Sequence, residues 1–224
     1  MIKKVGVIGA GTMGAGIAGQ VANAGIEVWL LDLPSDGENV NSLSAKGLER
    51  LKDPDMPGLM SVEAEKLIRL GNTRDDFHQL EDCDWVAEAV VERLDIKQAL
   101  YHQLNDVCKD TTIITSNTST IPISLLTKGM PKKFCERFAI THFFNPVRFM
   151  RLLELVRGEF TREDVLIHLI CLVKQCLEKV SSHALTLQAF LPTEWVFLLS
   201  NAHFIRPLNI NCRQQKRMLF LVGL

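Results

Sequence analysis

Short apolar, β-branched bursts alternate along most of the chain with longer stretches in which charged residues interrupt apolar ones at helical spacing. Lys3-Lys4-Val5-Gly6-Val7-Ile8 has the pattern of a buried strand. A glycine cluster follows, then Ile17 to Ala22, which predicts a helix ending near Gly25. Glu27 to Asp32 predicts the next strand. Strand, helix and strand at this spacing form a βαβ unit, whose two strands run parallel. Residues 38–70 are charged and helical in pattern, broken at Pro54 and Pro57-Gly58. Strands are expected at Trp85 to Val90, Thr112 to Ser116, Phe138 to His142 and Leu152 to Val156. Arg93 to Cys108 predicts a helix with Leu94, Ala99, Leu100, Leu104 and Val107 on its apolar positions, and Pro122 to Leu126 a short one. Thr161 is expected to cap a helix running to about Leu177, with Glu163 and Asp164 favourably placed in its first turn. There helical periodicity stops. The reading is an α/β chain: a doubly wound, mostly parallel sheet over residues 1–176, and an irregular C-terminal tail over 177–224 that ends in Arg213, Lys216 and Arg217.

Composition narrows the class. The 224 residues carry 25 basic and 26 acidic side chains, and 47% are hydrophobic, ordinary values that exclude collagen-like and disordered chains. A net charge of −1 without a basic stripe argues against a nucleic-acid partner. No apolar run approaches the ~20 residues that span a bilayer; the longest late one, Ala189 to Leu199, contains Pro192 and Glu194. The N-terminus has no Ala-x-Ala cleavage site, so a cytoplasmic protein without a membrane partner is expected. The six cysteines form no Cys-x-x-Cys and have no histidine pair beside them. Reduced thiols and no metal site are expected.

Gly9-Ala10-Gly11-Thr12-Met13-Gly14 is G-x-G-x-x-G, and its context gives it weight. It follows a strand, opens a helix, and an acid, Asp32, closes the next strand eighteen residues after Gly14. Gly9 permits the turn, Gly11 lets backbone approach a pyrophosphate, and Gly14 lets helix and strand pack closely. The helix N-terminus, with Thr12 and Met13 in its first turn, offers amides and a positive dipole end. Asp32 is placed to accept from adenosine ribose hydroxyls. A 2′-phosphate would face that carboxylate, and Leu33-Pro34-Ser35 offers no arginine to offset it, so a Rossmann-type NAD site is expected over NADP. The competing reading is a glycine-rich turn without a ligand.

Three stretches carry further chemistry: Asn117-Thr118-Ser119, Thr141-His142-Phe143-Phe144-Asn145-Pro146, and Met150-Arg151-Leu152-Leu153-Glu154. With Asp84-Trp85 and Glu92-Arg93-Leu94-Asp95-Ile96-Lys97, they resemble the nucleotide-binding domain of the 3-hydroxyacyl-CoA dehydrogenase family. The likeness is greatest to its long bifunctional kind, which also carries an enoyl-CoA hydratase part, and it covers residues 1 to about 176. The chemistry agrees independently. Oxidising a secondary alcohol needs a base near neutral pKa for the hydroxyl proton, and histidine is that side chain. His142 ends a predicted strand on the side where such sheets bind ligands, and Glu154 in the next strand is placed to hold the imidazole in one tautomer. The resemblance implies a His142–Glu154 catalytic pair, Ser119 bonding the substrate oxygen at C3, Asn145 in the site and Asn117 beside the nicotinamide ribose. It also implies Glu92 and Lys97 as cofactor contacts; a plain surface charge pair at a helix start is their competing reading. His78, His102, His168, His183 and His203 read as ordinary surface or packing residues.

The tail departs from the family. There the last helix of the nucleotide-binding domain is followed by Gly-Lys, a strand and Asp-Thr-Pro-Gly-Phe-x-x-Asn-Arg, leading into a helical domain that closes the substrate cleft and forms the dimer. Codon degeneracy over Leu177 to Val196, read from each third base, permits Gly-Lys-(Gly/Ser)-Val-Val and then Ile-Asp-Thr-Pro-Gly-Phe-Leu-Ala-Asn-Arg-Met-Gly. Residues 177–224 are therefore expected to be an out-of-frame reading in place of the helical domain. Three functions follow as alternatives: an NAD-dependent (S)-3-hydroxyacyl-CoA dehydrogenase acting on an acyl-CoA substrate, a catalytically impaired NAD-binding fragment, and a Rossmann enzyme for a small hydroxy acid. The His142–Asn145 run with Glu154 speaks against the third.

Overall fold

The computed structural model describes residues 2–177 and 180–185; the rest of the expected tail, 186–224, lies outside the described residues. β1 (Lys4–Ile8) leads through the glycine turn into α1 (Thr12–Asn23) and β2 (Glu27–Asp32). After α2 (Ser42–Arg50) and α3 (Val62–Lys66) come β3 (Ile68–Asn72) and β4 (Trp85–Glu88). α4 (Leu94–Val107) precedes β5 (Ile113–Ser116), and α5 (Ile123–Leu126) and α6 (Lys132–Glu136) precede β6 (Phe138–Phe143). β7 (Leu152–Arg157), α7 (Glu163–Cys171) and β8 (Val180–Leu185) complete the order. The strands form one sheet, β3-β2-β1-β4-β5-β6-β7-β8, in which only the β6–β7 pair is antiparallel. This is the doubly wound, mostly parallel architecture expected.

β1 has β2 on one side and β4 on the other, so chain direction across the sheet reverses there and a crevice opens at the carboxyl ends of β1 and β4. Two apolar layers flank the sheet. One gathers Ile17 and Val21 of α1 with Val165 and Leu169 of α7. The other gathers Leu100, Tyr101 and Leu104 of α4 with Phe134 and Phe138; Tyr101 and Phe138 meet edge-on with ring centres 5.0 Å apart. Small residues line the buried face of α1, namely Gly14, Ala15, Ala18, Gly19 and Ala22, and let this helix sit close on the sheet.

The structure departs from the sequence reading at four places. β3 begins inside the stretch read as helical and runs past its end. It is five residues long, ends in Gly71-Asn72, and is held by main-chain pairing to β2 and by the Arg69–Glu27 ion pair at 2.6 Å, none of which is visible as periodicity. β8 runs parallel to β7 where no element was expected, because ladder pairing rests on backbone groups rather than on apolar alternation. Thr161 is not the cap of α7; that position is Arg162. The Thr161 hydroxyl instead donates to Phe138 O at 2.7 Å and accepts from Gly158 N at 2.8 Å, tying the turn after β7 to β6. Finally, Cys83, Cys108 and Cys135 are free thiols as expected, whereas Cys171 is in a disulfide. Whether two thiols meet depends on backbone separation and side-chain direction, which sequence spacing does not report.

Candidate active site

The glycine turn shows three separate reasons for its glycines. Gly9 has φ +97°, and a Cβ there would lie 2.5 Å from Ala89 O. A Cβ on Gly14 would lie 1.7 Å from Gly9 O, so any side chain there pushes α1 off β1. A Cβ on Gly11 would meet nothing within 4 Å. The fold's own packing does not require that glycine, and the open space before it suits a ligand that lies against the backbone. Gly11 also caps α1 without a side-chain bond, and no acid stands in the first turn, so the helix presents its amides and positive end uncompensated.

Asp32 first fastens this turn. Its carboxylate accepts from Ala10 N at 2.6 Å and from Leu33 N at 2.7 Å. Arg50, at the end of α2, donates to Ala10 O at 2.9 Å, so side chains from two elements grip both sides of one residue. Residues 33–35, which follow Asp32, hold no cation, and Arg50 reaches the turn from α2 at Ala10 O.

At the carboxyl end of β6, His142 stands directly opposite Glu154 of β7, and Nδ1 lies 2.9 Å from Glu154 Oε2. Nδ1–H donates to the carboxylate, which leaves Nε2 as the basic nitrogen. Phe144 packs against the imidazole with ring centres 4.6 Å apart. Asn117, expected only as a cofactor contact, accepts from Phe143 N at 2.9 Å and thereby ties the end of β5 to the residue after His142.

Behind the loops lies a polar cluster absent from the sequence reading. Glu88, at the end of β4, is fully buried. Its Oε1 accepts from Lys97 Nζ at 2.5 Å and Val90 N at 2.9 Å, and its Oε2 from Tyr101 at 2.6 Å and Ser116 at 2.7 Å. Lys97 is 1% exposed and reaches Glu92 at 3.2 Å, which removes the surface-pair reading of Glu92 and Lys97. Glu92 in turn accepts from the hydroxyls of Thr118 and Thr120. Burial pushes the Glu92 carboxyl up, but the Thr118 bond and the Lys97 charge outweigh it and hold the group below the usual carboxylate range. Two signals were available: a lone acid in the apolar run Trp85 to Val90, and Lys97 with Tyr101 four residues apart on one helix face.

A cleft of about 340 Å³ joins these parts. Met13, Glu92, Lys97, Asn117, Ser119, His142 and Asn145 line it. Of the other expected site residues, Gly9, Gly11, Thr12, Gly14 and Asp32 form the adjoining turn and strand end, and Glu154 stands behind His142. No other histidine among the described residues lines the cleft. Among the described residues no group of three or more metal-donor side chains converges, and no helix is long and apolar enough to cross a membrane.

Residues 4–184 match the family described as 3-hydroxyacyl-CoA dehydrogenase, NAD binding domain. The chain belongs to this family. Within the 3-hydroxyacyl-CoA dehydrogenases it is similar to a Deinococcus radiodurans protein described as a probable 3-hydroxyacyl-CoA dehydrogenase, 45% identical over 165 residues that make up 73% of this chain and 48% of that one. The 3-hydroxyadipyl-CoA dehydrogenase of Escherichia coli is 38% identical over 73% of this chain and 34% of its own. The crystal structure of (S)-3-hydroxybutyryl-CoA dehydrogenase from Ralstonia eutropha superposes with a TM-score of 0.68 at 33% identity, over 83% of this chain and 64% of that one. The chain thus spans about half, or less, of the length of these curated dehydrogenases. What it shares with them is the NAD-binding domain, so its cofactor is NAD.

Proposed function

We propose that this domain serves NAD-dependent oxidation of (S)-3-hydroxyacyl-CoA to 3-oxoacyl-CoA, as in fatty-acid β-oxidation, with His142 as base and Glu154 as its orienting partner. The 2.9 Å His142–Glu154 contact beside a cleft that adjoins the glycine turn carries the reading. NAD, when bound, accepts the hydride that leaves the alcohol carbon. The open face of Gly11 and the uncapped start of α1 suit its pyrophosphate, with Gly9, Thr12, Met13 and Gly14 shaping that turn. Asp32 accepts from the adenosine ribose, and Glu92, Lys97 and Asn117 hold the nicotinamide end. His142 takes the hydroxyl proton on Nε2, and Glu154 stabilises the imidazolium that results. Ser119 bonds the oxygen at C3, where negative charge gathers as the proton leaves, and Asn145 stands in the site beside it. An acyl-CoA substrate, a cytoplasmic location and no nucleic-acid or membrane partner belong to the same reading.

NADH binding tests the cofactor half. Titration calorimetry should show NADH bound by the chain and NADPH bound about tenfold or more weakly, since a 2′-phosphate meets the Asp32 carboxylate; equal affinity removes Asp32 from this role.

A second reading, a catalytically impaired NAD-binding fragment, draws on the alternative frame that codon degeneracy permits over Leu177 to Val196. In this reading residues 1–176 are the NAD-binding domain, and 177–224 are an out-of-frame stretch in place of the helical domain that supplies the second cleft wall and the dimer surface. NAD binding then outlasts turnover, because the open cleft admits water and gives up binding energy for the acyl-CoA. Reduction of acetoacetyl-CoA by NADH separates the readings. Nucleotides across codons 165–224 test the frame: one inserted or deleted base is expected to restore Asp-Thr-Pro-Gly-Phe and an open frame, and its absence makes the tail genuine.

A further inference from the structure

The charges beside the cleft do not cancel. Lys97 serves two carboxylates, Glu88 at 2.5 Å and Glu92 at 3.2 Å. Every group facing Glu88 is a donor: an ammonium, a backbone amide and two hydroxyls. Those are the surroundings of a carboxylate ion, with each oxygen accepting twice. Tyr101 remains a phenol, because burial first, and then the Glu88 charge, hold its hydroxyl well above the usual range. The trio Glu88–Lys97–Glu92 therefore carries a net charge of −1. Among the described residues, no arginine and no second lysine lines the cleft to offset it. Glu154 adds a further negative charge behind His142 whenever the imidazole is neutral.

The two redox forms of the cofactor differ in charge where it matters. The oxidised nicotinamide ring is a cation and the reduced ring is neutral, while the phosphates and sugars are the same in both. Taking the cleft as the nicotinamide end of an NAD site, we propose that the Glu88–Lys97–Glu92 trio sets the redox-state preference of the site, its uncompensated negative charge favouring oxidised over reduced cofactor. Glu92 acts on the ring's charge directly from the lining of the cleft. Glu88 acts through Lys97, by drawing the ammonium into the interior and leaving Glu92 only partly neutralised, and so is a positioning residue.

The measurement is the ratio of dissociation constants for NAD and NADH, by calorimetry on the full chain at one fixed salt concentration. Glu92→Gln leaves a neutral Glu88–Lys97 pair and should shift the ratio about three- to tenfold toward NADH, the effect of one unit charge in a partly solvated site. Glu88→Gln frees Lys97 for Glu92 and should shift it the same way. Ser116→Ala removes a hydrogen bond from Glu88 but no charge, and should leave the ratio where it is. Loosening of the site weakens both forms alike and does not move the ratio. If Glu88→Gln fails to fold, the more exposed Glu92→Gln still decides. A ratio unmoved by Glu92→Gln with both forms bound overturns the proposal. If the parent chain binds neither form, the NAD reading fails and this inference goes with it.

Discussion

Glutamine at position 142 should leave NADH binding near the parent value and slow reduction of acetoacetyl-CoA by about a hundredfold or more, the range that loss of a positioned acid–base group produces. The effect is this large because Glu154 already holds the imidazole at 2.9 Å, so the ring's tautomer is set before substrate arrives. A glutamine amide reaches the same carboxylate but cannot exchange a proton near neutral pH. The expected signature is a fall in kcat with little change in the dissociation constant of NADH. In the reverse direction the same group supplies its proton to the 3-oxo oxygen, so reduction and oxidation should fall together. The assay belongs in whichever chain turns over, this one or a frame-restored longer one. An unchanged rate takes His142 out of the chemistry.

Gly14→Ala should cost about 3 kcal/mol or more of stability and abolish measurable NADH binding, as overpacking against backbone allows no cheap relaxation. The added methyl would lie 1.7 Å from Gly9 O and 3.4 Å from the Ala89 side chain. Neither Gly9 nor the start of α1 can move independently: Gly9 N bonds Leu31 O at 2.8 Å, and Ala10 is gripped by Asp32 and Arg50. The helix must back away from the strand, and the amides of its first turn leave the position where a pyrophosphate would meet them. Gly11→Ala is the contrast. A Cβ at Gly11 touches nothing in the protein, so the fold should tolerate it while cofactor binding weakens. Thermal melts and NADH titration of the two variants check the pair. Equal melting temperatures for Gly14→Ala and the parent would refute the packing argument.

Much of this was legible from residues. The βαβ opening was readable because apolar bursts, the glycine turn and Asp32 fall at fixed spacings. His142 and Glu154 were readable as a pair because each sits in a clear strand run and the resemblance to the family implies their pairing. β3 was not, since a five-residue edge element ending in Gly71-Asn72 has too little alternation to stand out from the charged stretch before it. The Glu88 cluster escaped for another reason. Its members come from β4, α4 and β5, and only their three-dimensional convergence turns a lone acid, a lysine, a tyrosine and a serine into one network. Arg50 is similar: it comes from a helix further along the chain and reaches the glycine turn only through Ala10 O. Sequence spacing reports what neighbours within an element do. It reports poorly on polar contacts that close across elements.

The antiparallel pairing of β6 with β7 has a further consequence. His142 faces Glu154 because the ladder sets them opposite one another, from Phe143 with Leu153 through Ala139 with Arg157. Side chains alternate faces along a strand, so a slip of one residue would bring Leu153 or Leu155 opposite His142 and turn the carboxylate to the far side of the sheet. Partial misalignment is not available to this pair. The eight-residue connection between the strands, residues 144–151, does not set this opposition; it contributes Phe144 against the imidazole and Asn145 to the cleft lining. The His142–Glu154 contact is thus a digital property of backbone pairing, kept whole or lost whole.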